Sequence, residues 1–167
     1  MPEAFADSDL EQLFKVLGLA LGLGLLVGTQ RERIHSRLAG VRTFALTTLL
    51  GALTAVLAHS FGGWVVAAGF LALTALMVVG NLAKMRSDGP VDPGVTTEVA
   101  MLLMFGVGAF LVVGPPSVAI VVGGIAAVLL HAKERLHSWI DGFGDRDFAA
   151  IMQFALLSLV ILPVLPD

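Results

Sequence analysis

Glu98 is the residue in this chain whose type and setting most invite chemistry. It stands in the run Val95-Thr96-Thr97-Glu98-Val99-Ala100, about one turn into an otherwise apolar segment. A carboxylate at membrane depth is costly, so it persists where it has a partner or a task such as binding a cation or relaying a proton. Arg42, just ahead of another apolar segment, is the expected partner. Two readings stay open here: a structural Glu–Arg pair that ties two helix ends together, and an ion or proton site. Asn81 and Gln153 are single amides in apolar runs, and interhelical hydrogen bonds are their expected use. Gln30, Arg31, Glu32 and Arg33 open the densest basic cluster of the chain. With Arg42, Asn81 and Glu98 they make up the candidate functional cluster.

The other reactive side chains lack a recognisable spacing. His35, His59, His131 and His137 form no HExxH pair, so a zinc enzyme is disfavoured. His35 and His137 are expected to be exposed at the membrane surface, where an imidazole titrates near neutral pH. Asp141, Asp145 and Asp147 crowd one loop without the order of an EF-hand. Mg²⁺ keeps several waters and takes one or two carboxylates, so Glu98 and the pair Asp145/Asp147 are weak candidates for contacting it. No other cofactor is evident. No phosphate loop, nucleophile elbow or Ser/His/Asp spacing is present, and no enzyme is expected.

Composition says what must position these groups. The 167 residues are 57% hydrophobic and only 14% charged, with a mean hydropathy of +0.92. Soluble domains lie near 45–50% apolar and about 25% charged, so the expected class is an all-α integral membrane protein. The net charge of −3 gives no reason to expect nucleic acid, and the absence of cysteine excludes disulfides and thiolate metal sites. The opening stretch MPEAFADSDLEQ is acidic and lacks the basic start of a cleaved signal, so the first apolar segment is expected to be retained.

Six segments approach the roughly 20 apolar residues that a spanning helix needs: Leu13–Thr29, Thr43–Phe61, Trp64–Leu82, Val95–Gly114, Pro116–Ala132 and Phe148–Leu165. They are continuously apolar, which favours helices over barrel strands. The expected architecture is a single membrane domain, residues 1–167, of about six helices in three antiparallel hairpins. Nine of the ten Lys and Arg residues lie in the loops after the first, third and fifth segments, with Lys15 alone on the other side. The positive-inside rule places those loops in the cytoplasm and both termini outside. Lys84, Arg86 and the other basic loop ends would also suit anionic lipid head groups.

The first segment carries Gly18, Gly22, Gly24 and Gly28, two GxxxG spacings that let backbones approach closely. Internal packing is the expected use; a homo-oligomer seam along the glycine-rich faces is the alternative. Gly69, Gly106, Gly108, Gly123 and Gly124 suggest the same tight packing. There is also an internal repeat. Residues 31–40, RERIHSRLAG, line up with residues 133–142, KERLHSWIDG, and after a two-residue slip Arg42-Thr43-Phe44-Ala45 meets Arg146-Asp147-Phe148-Ala149. Helices one–two and five–six thus read as parallel copies of one hairpin, with three–four as a faint third.

The string Gly28-x-x-Arg31-Glu32-Arg33, followed by Ala39-Gly40-Val41-Arg42-Thr43-Phe44-Ala45-Leu46, resembles the hallmark of the MgtC/SapB family of bacterial inner-membrane proteins. The segment Gly94-Val95-Thr96-Thr97-Glu98-Val99-Ala100 and the tail from Gln153 to Asp167 resemble the longer branch of that family, which carries a second hydrophobic domain. Gln30 stands where the family pattern commonly has Glu, and residues 1–167 are expected to be either a short natural form or a piece of a longer protein, so the regulation attributed to the soluble C-terminal domain of some members is not carried over. The resemblance implies an accessory protein of the inner membrane that supports magnesium homeostasis by modulating a membrane protein partner. A small transporter or channel for Mg²⁺, H⁺ or another cation, with a path near Glu98, is the alternative. A third reading is a purely structural domain that anchors another domain.

Overall fold

The computed structural model describes residues 7–32, 40–85 and 95–132, and then 150, 153, 154 and 156–158. The side chains of residues 7, 8, 31, 32, 84, 85 and 95 are not part of that description. Five helices follow in order: α1 (Asp7–Glu32), α2 (Val41–Phe61), α3 (Trp64–Met85), α4 (Val95–Val113) and α5 (Pro116–His131). Among the described residues there is no strand. Four helices hold apolar stretches long enough to cross a membrane: Asp9–Gln30, Val41–Phe61, Trp64–Ala83 and Thr96–Val113. The fifth, at 16 residues, reaches about 24 Å, short of a bilayer core of about 30 Å. The chain divides into two compact units, residues 1–130 and 131–167. In the second, residues 150, 153, 154 and 156 are helical. The expected sixth span and the second copy of the repeat lie largely outside the described residues, as does the repeated stretch after Glu32.

Helix ends depart from the hydropathy boundaries because helices continue into polar flanks. α1 begins at Asp7 instead of Leu13, and its exposed first turns carry an i,i+4 ion pair, Glu11–Lys15, at 2.6 Å. It also runs on to Glu32, so Arg31 and Glu32 extend a helix and do not open a loop.

The centre of the first unit is the contact of α2 with α4. A Cβ placed on Gly51 would fall on the Phe105 carbonyl, and one placed on Gly108 would fall on the Thr48 carbonyl. Backbone therefore meets backbone with no side chain between. In lipid, where there is no hydrophobic drive between helices, such close approach is a main source of association. Beside this contact the buried Thr48 hydroxyl donates to the Phe44 carbonyl (2.9 Å) and Thr54 donates to the Gly51 carbonyl (2.9 Å). Each hydroxyl is thus satisfied within its own helix.

α1 lies antiparallel to α2, and the second of its glycine pairs makes the joint. A Cβ on Gly24 would stand 2.6 Å from the Ala45 Cα, and one on Gly28 the same distance from the Val41 Cα. Gly18 and Gly22 meet nothing within 4 Å. Only one of the two GxxxG spacings is an internal packing device. Gly69, Gly108 and Gly123 are packed as expected, whereas Gly106 and Gly124 face open space.

α3 packs on the other side of α2. The methyl group of Thr54 lies 2.8 Å from the Cβ position of Gly69. Ala45 and Thr54 are nine residues apart, or two and a half turns, so α1 and α3 flank α2 on opposite faces. The Phe105 ring of α4 also covers Gly69 and stands edge-on to Phe70, with centroids 5.8 Å apart at 68°. Among the described residues Leu73 is the buried apolar residue of α3, while Leu71, Leu76, Val79 and Leu82 stay exposed. So much outward apolar surface on a helix of membrane length is solvated by lipid, and the chain is a membrane-embedded protein.

Two tight connections fix directions. Gly62, at φ +95, lets α2 turn into α3; its amide donates to the Ala58 carbonyl (2.8 Å), and the Trp64 indole donates to the Phe61 carbonyl (2.7 Å). At the other, Gly114 leaves room for the Phe110 ring, and Pro116 starts α5 where no amide hydrogen is needed. α5 lays Gly123 against the Leu23 side chain of α1.

Two substitutions at each kind of glycine separate these roles. Gly51→Ala and Gly108→Ala are each expected to destabilise by about 1–3 kcal/mol or more, since neither carbonyl can move aside without shifting a helix. Gly106→Ala and Gly80→Ala meet nothing and should leave Tm in detergent unchanged or slightly raised. The same contrast holds on α1, where Gly24→Ala lowers Tm and Gly22→Ala does not. Equal behaviour of the packed and open glycines would contradict the packing described.

Candidate functional site

Asn81 lies in the last turns of α3 and Glu98 in the first turns of α4. The Asn81 side-chain amide donates from Nδ2 to Glu98 Oε1, an interhelical hydrogen bond between half-buried side chains. α3 is antiparallel to α2 across a two-residue turn, and this bond joins the end of α3 to the start of α4. It follows that α2 and α4 run in the same direction.

The rotation of each helix explains the pairing. Glu98 lies seven residues, close to two turns, before Phe105. Both therefore fall on the stripe of α4 that meets α3. On α2, Arg42 is two residues before the fully buried Phe44, about 200° around the helix. It points away from the bundle and is exposed. Arg42 is therefore not the partner of Glu98, and no ion pair joins them among the described residues. Asn81 takes that place.

The remaining candidates are dispersed. Gln30 is half-buried at the end of α1, the helix on the flank of α2 opposite to α3, and no hydrogen bond joins it to Glu98 among the described residues. The side chains of Arg31 and Glu32, and all of Arg33, Asp145 and Asp147, lie outside the described residues, as do His35 and His137. Gln153 is exposed. His59 holds Nδ1 3.1 Å from the Ala55 carbonyl, a bond within its own helix, and His131 is exposed. No group of three or more His, Asp or Glu suited to a metal occurs among the described residues.

Hydropathy reading missed two buried threonines. Thr47 is 4% exposed and Thr97 7% exposed, and neither hydroxyl has a hydrogen-bond partner among the described residues. Thr47 lies seven residues before Thr54, so it shares the stripe of α2 that faces α3. Thr43 precedes it by four residues on the same stripe and is half-buried. The spacing Thr43-x-x-x-Thr47 on an apolar helix was the available signal.

Farther into the bundle the space is filled. The Phe105 ring on Gly69, buried Leu73 and the backbone contact of Gly51 with Gly108 occupy the level beyond the Asn81–Glu98 pair. Among the described residues the arrangement is a polar pair at one end of a tightly packed interior. Asn81→Leu should strand the Glu98 carboxylate and lower stability by about 1–3 kcal/mol. Asn81→Leu/Glu98→Leu should recover most of that loss, and thermal melts of the set give the coupling directly.

A model of the MgtC family matches residues 17–139, well over half of the chain. Neither a curated protein nor a solved structure matches it. The matched stretch starts in α1, takes in the glycine contacts of α2 with α4 and the Asn81–Glu98 bond, and passes the end of α5: the chain belongs to the MgtC family.

Proposed function

We propose that this protein is an accessory protein of the bacterial inner membrane that supports magnesium homeostasis by modulating other membrane proteins. Its working surface is the end of the bundle that carries the basic loops, which the positive-inside rule assigns to the cytoplasm. The observation that carries this reading is the close packing beyond Asn81 and Glu98, where, among the described residues, Phe105, Leu73 and the Gly51–Gly108 contact bring α2, α3 and α4 together. On this reading a bundle packed in this way acts through what it presents at its surface. Arg42, exposed beside the start of α2, is part of that presentation, together with Arg31, Glu32 and Arg33 in sequence.

A second reading, a small cation transporter, draws on Glu98 itself. It is a carboxylate in an apolar helix of spanning length, bonded to an amide and not to a cation, and such residues commonly line ion or proton paths. Liposomes containing the purified protein separate the two. The accessory reading expects no flux of Mg²⁺, H⁺ or monovalent cations above that of empty vesicles. Flux that is abolished by Glu98→Gln would replace it with the transporter reading. In cells, Arg42→Glu should impair growth at low magnesium while the purified variant keeps the wild-type Tm. Unimpaired growth would remove Arg42 from the working surface.

A further inference from the structure

The bond between Asn81 and Glu98 uses one hydrogen of the amide and one carboxylate oxygen. Asn81 Oδ1 and Glu98 Oε2 are left without a hydrogen-bond partner among the described residues. The surrounding level can be read from the contact of Thr54 with Gly69. Eleven residues back along α2 from Thr54 is Thr43; twelve residues on along antiparallel α3 from Gly69 is Asn81. At about 1.5 Å per residue the two fall at nearly the same depth; Asn81 is turned about 120° from the Gly69 stripe, toward α4, where it meets Glu98. Thr43 and Glu98 lie on the stripes of Thr54 and Phe105, the two side chains that converge on Gly69. Thr47 lies one turn deeper on the same stripe of α2, below Phe105. It is almost fully buried, and its hydroxyl has no partner among the described residues.

A buried hydroxyl without a partner is uncommon and points to a bound water or ion. Here the same layer offers a carboxylate oxygen, an amide oxygen and two threonine hydroxyls, all acceptors. We propose that this layer between α2, α3 and α4 binds one monovalent cation of the sodium type. Glu98 and Asn81 supply two of its oxygens, Thr43 a third, and Thr47 is reached through a water.

Charge decides between ion classes. Glu98 is the one charged side chain turned toward this layer among the described residues, since Arg42 points outward. Counting the described side chains, a monovalent ion brings the layer to neutrality, whereas Mg²⁺ would leave a net positive charge in a medium of low dielectric. Mg²⁺ also gives up its water reluctantly. With the interior closed at Phe105, the ion enters and leaves from the same end. The inference thus rests on the closed interior of the proposed function and adds a ligand that such a protein would sense.

The test is thermal melting of the purified full chain in detergent, with choline chloride exchanged for NaCl at constant ionic strength. Sodium should raise Tm saturably, by about 5–10 °C at a hundredfold excess over Kd. Glu98→Gln should lose the rise. Thr47→Val should melt no lower than wild type in choline and require about tenfold more sodium for half the rise. Equal melting of the wild type in the two salts would overturn the site, as would a rise that survives Glu98→Gln, or one given by MgCl₂ and not by NaCl. If Glu98→Gln fails to fold, the wild-type comparison and Thr47→Val still decide. Binding without flux in liposomes keeps both the site and the accessory role. Flux with binding removes the accessory role and the closed interior, leaving the ligands of the site in place, and absence of binding removes only the site.

Discussion

Backbone contact between α2 and α4 at Gly51 and Gly108 is the constraint from which the other placements follow. In a bilayer the lipid tails solvate apolar side chains as well as a neighbouring helix does, so exclusion from water cannot hold the bundle together. What remains is shape. Two glycines, each set against a carbonyl of the other helix, let two long apolar helices approach at a defined rotation. With that rotation set, α2 has one face left for α1, where Gly24 and Gly28 repeat the device against Ala45 and Val41. Its opposite face receives α3 through Thr54 and Gly69.

α3 depends on this arrangement more than the other helices do. It buries Leu73 and little else, so its position is set by Gly69 near one end and Asn81 near the other. The Asn81–Glu98 bond is then a structural fastening as well as a chemical feature, since it pins the end of the least embedded helix to the start of α4. A hydrogen bond between helices in lipid contributes about 1–2 kcal/mol at most. That is modest for the bundle as a whole but considerable for a helix with so few buried contacts.

Much of this was legible in the sequence, and the limit of legibility has a physical form. Continuous apolar runs marked α2 to α5 to within three residues and the end of α1 as closely, though not its start six residues earlier, because hydropathy reports what lipid requires of each segment. The oddity of Glu98 was equally visible. Its partner was not. Arg42 and Asn81 are both polar residues near the same end of their helices, and only rotation about the helix axis distinguishes them: Arg42 is turned outward from the α2–α4 contact and Asn81 inward. That rotation is set by Gly51 and Gly108, whose role a list of glycines does not reveal, since Gly106 and Gly124 look the same in sequence and touch nothing. The buried Thr47 escaped notice for the same reason.

The exchange of an arginine for an amide as the partner of Glu98 changes what the site can do. A guanidinium would have cancelled the carboxylate and closed the site as a structural pair. An amide satisfies one oxygen and leaves the charge uncompensated, so a mobile cation lowers the energy of the layer in a way that it could not beside Arg42. On the proposed reading, ion binding changes the charge at one end of the bundle. The exposed Arg42 stands at that end, on the far side of α2. On the proposed reading, occupancy of the layer and the charge at the exposed end of the bundle are linked through one helix, α2, which carries Thr43 and Arg42 on different faces.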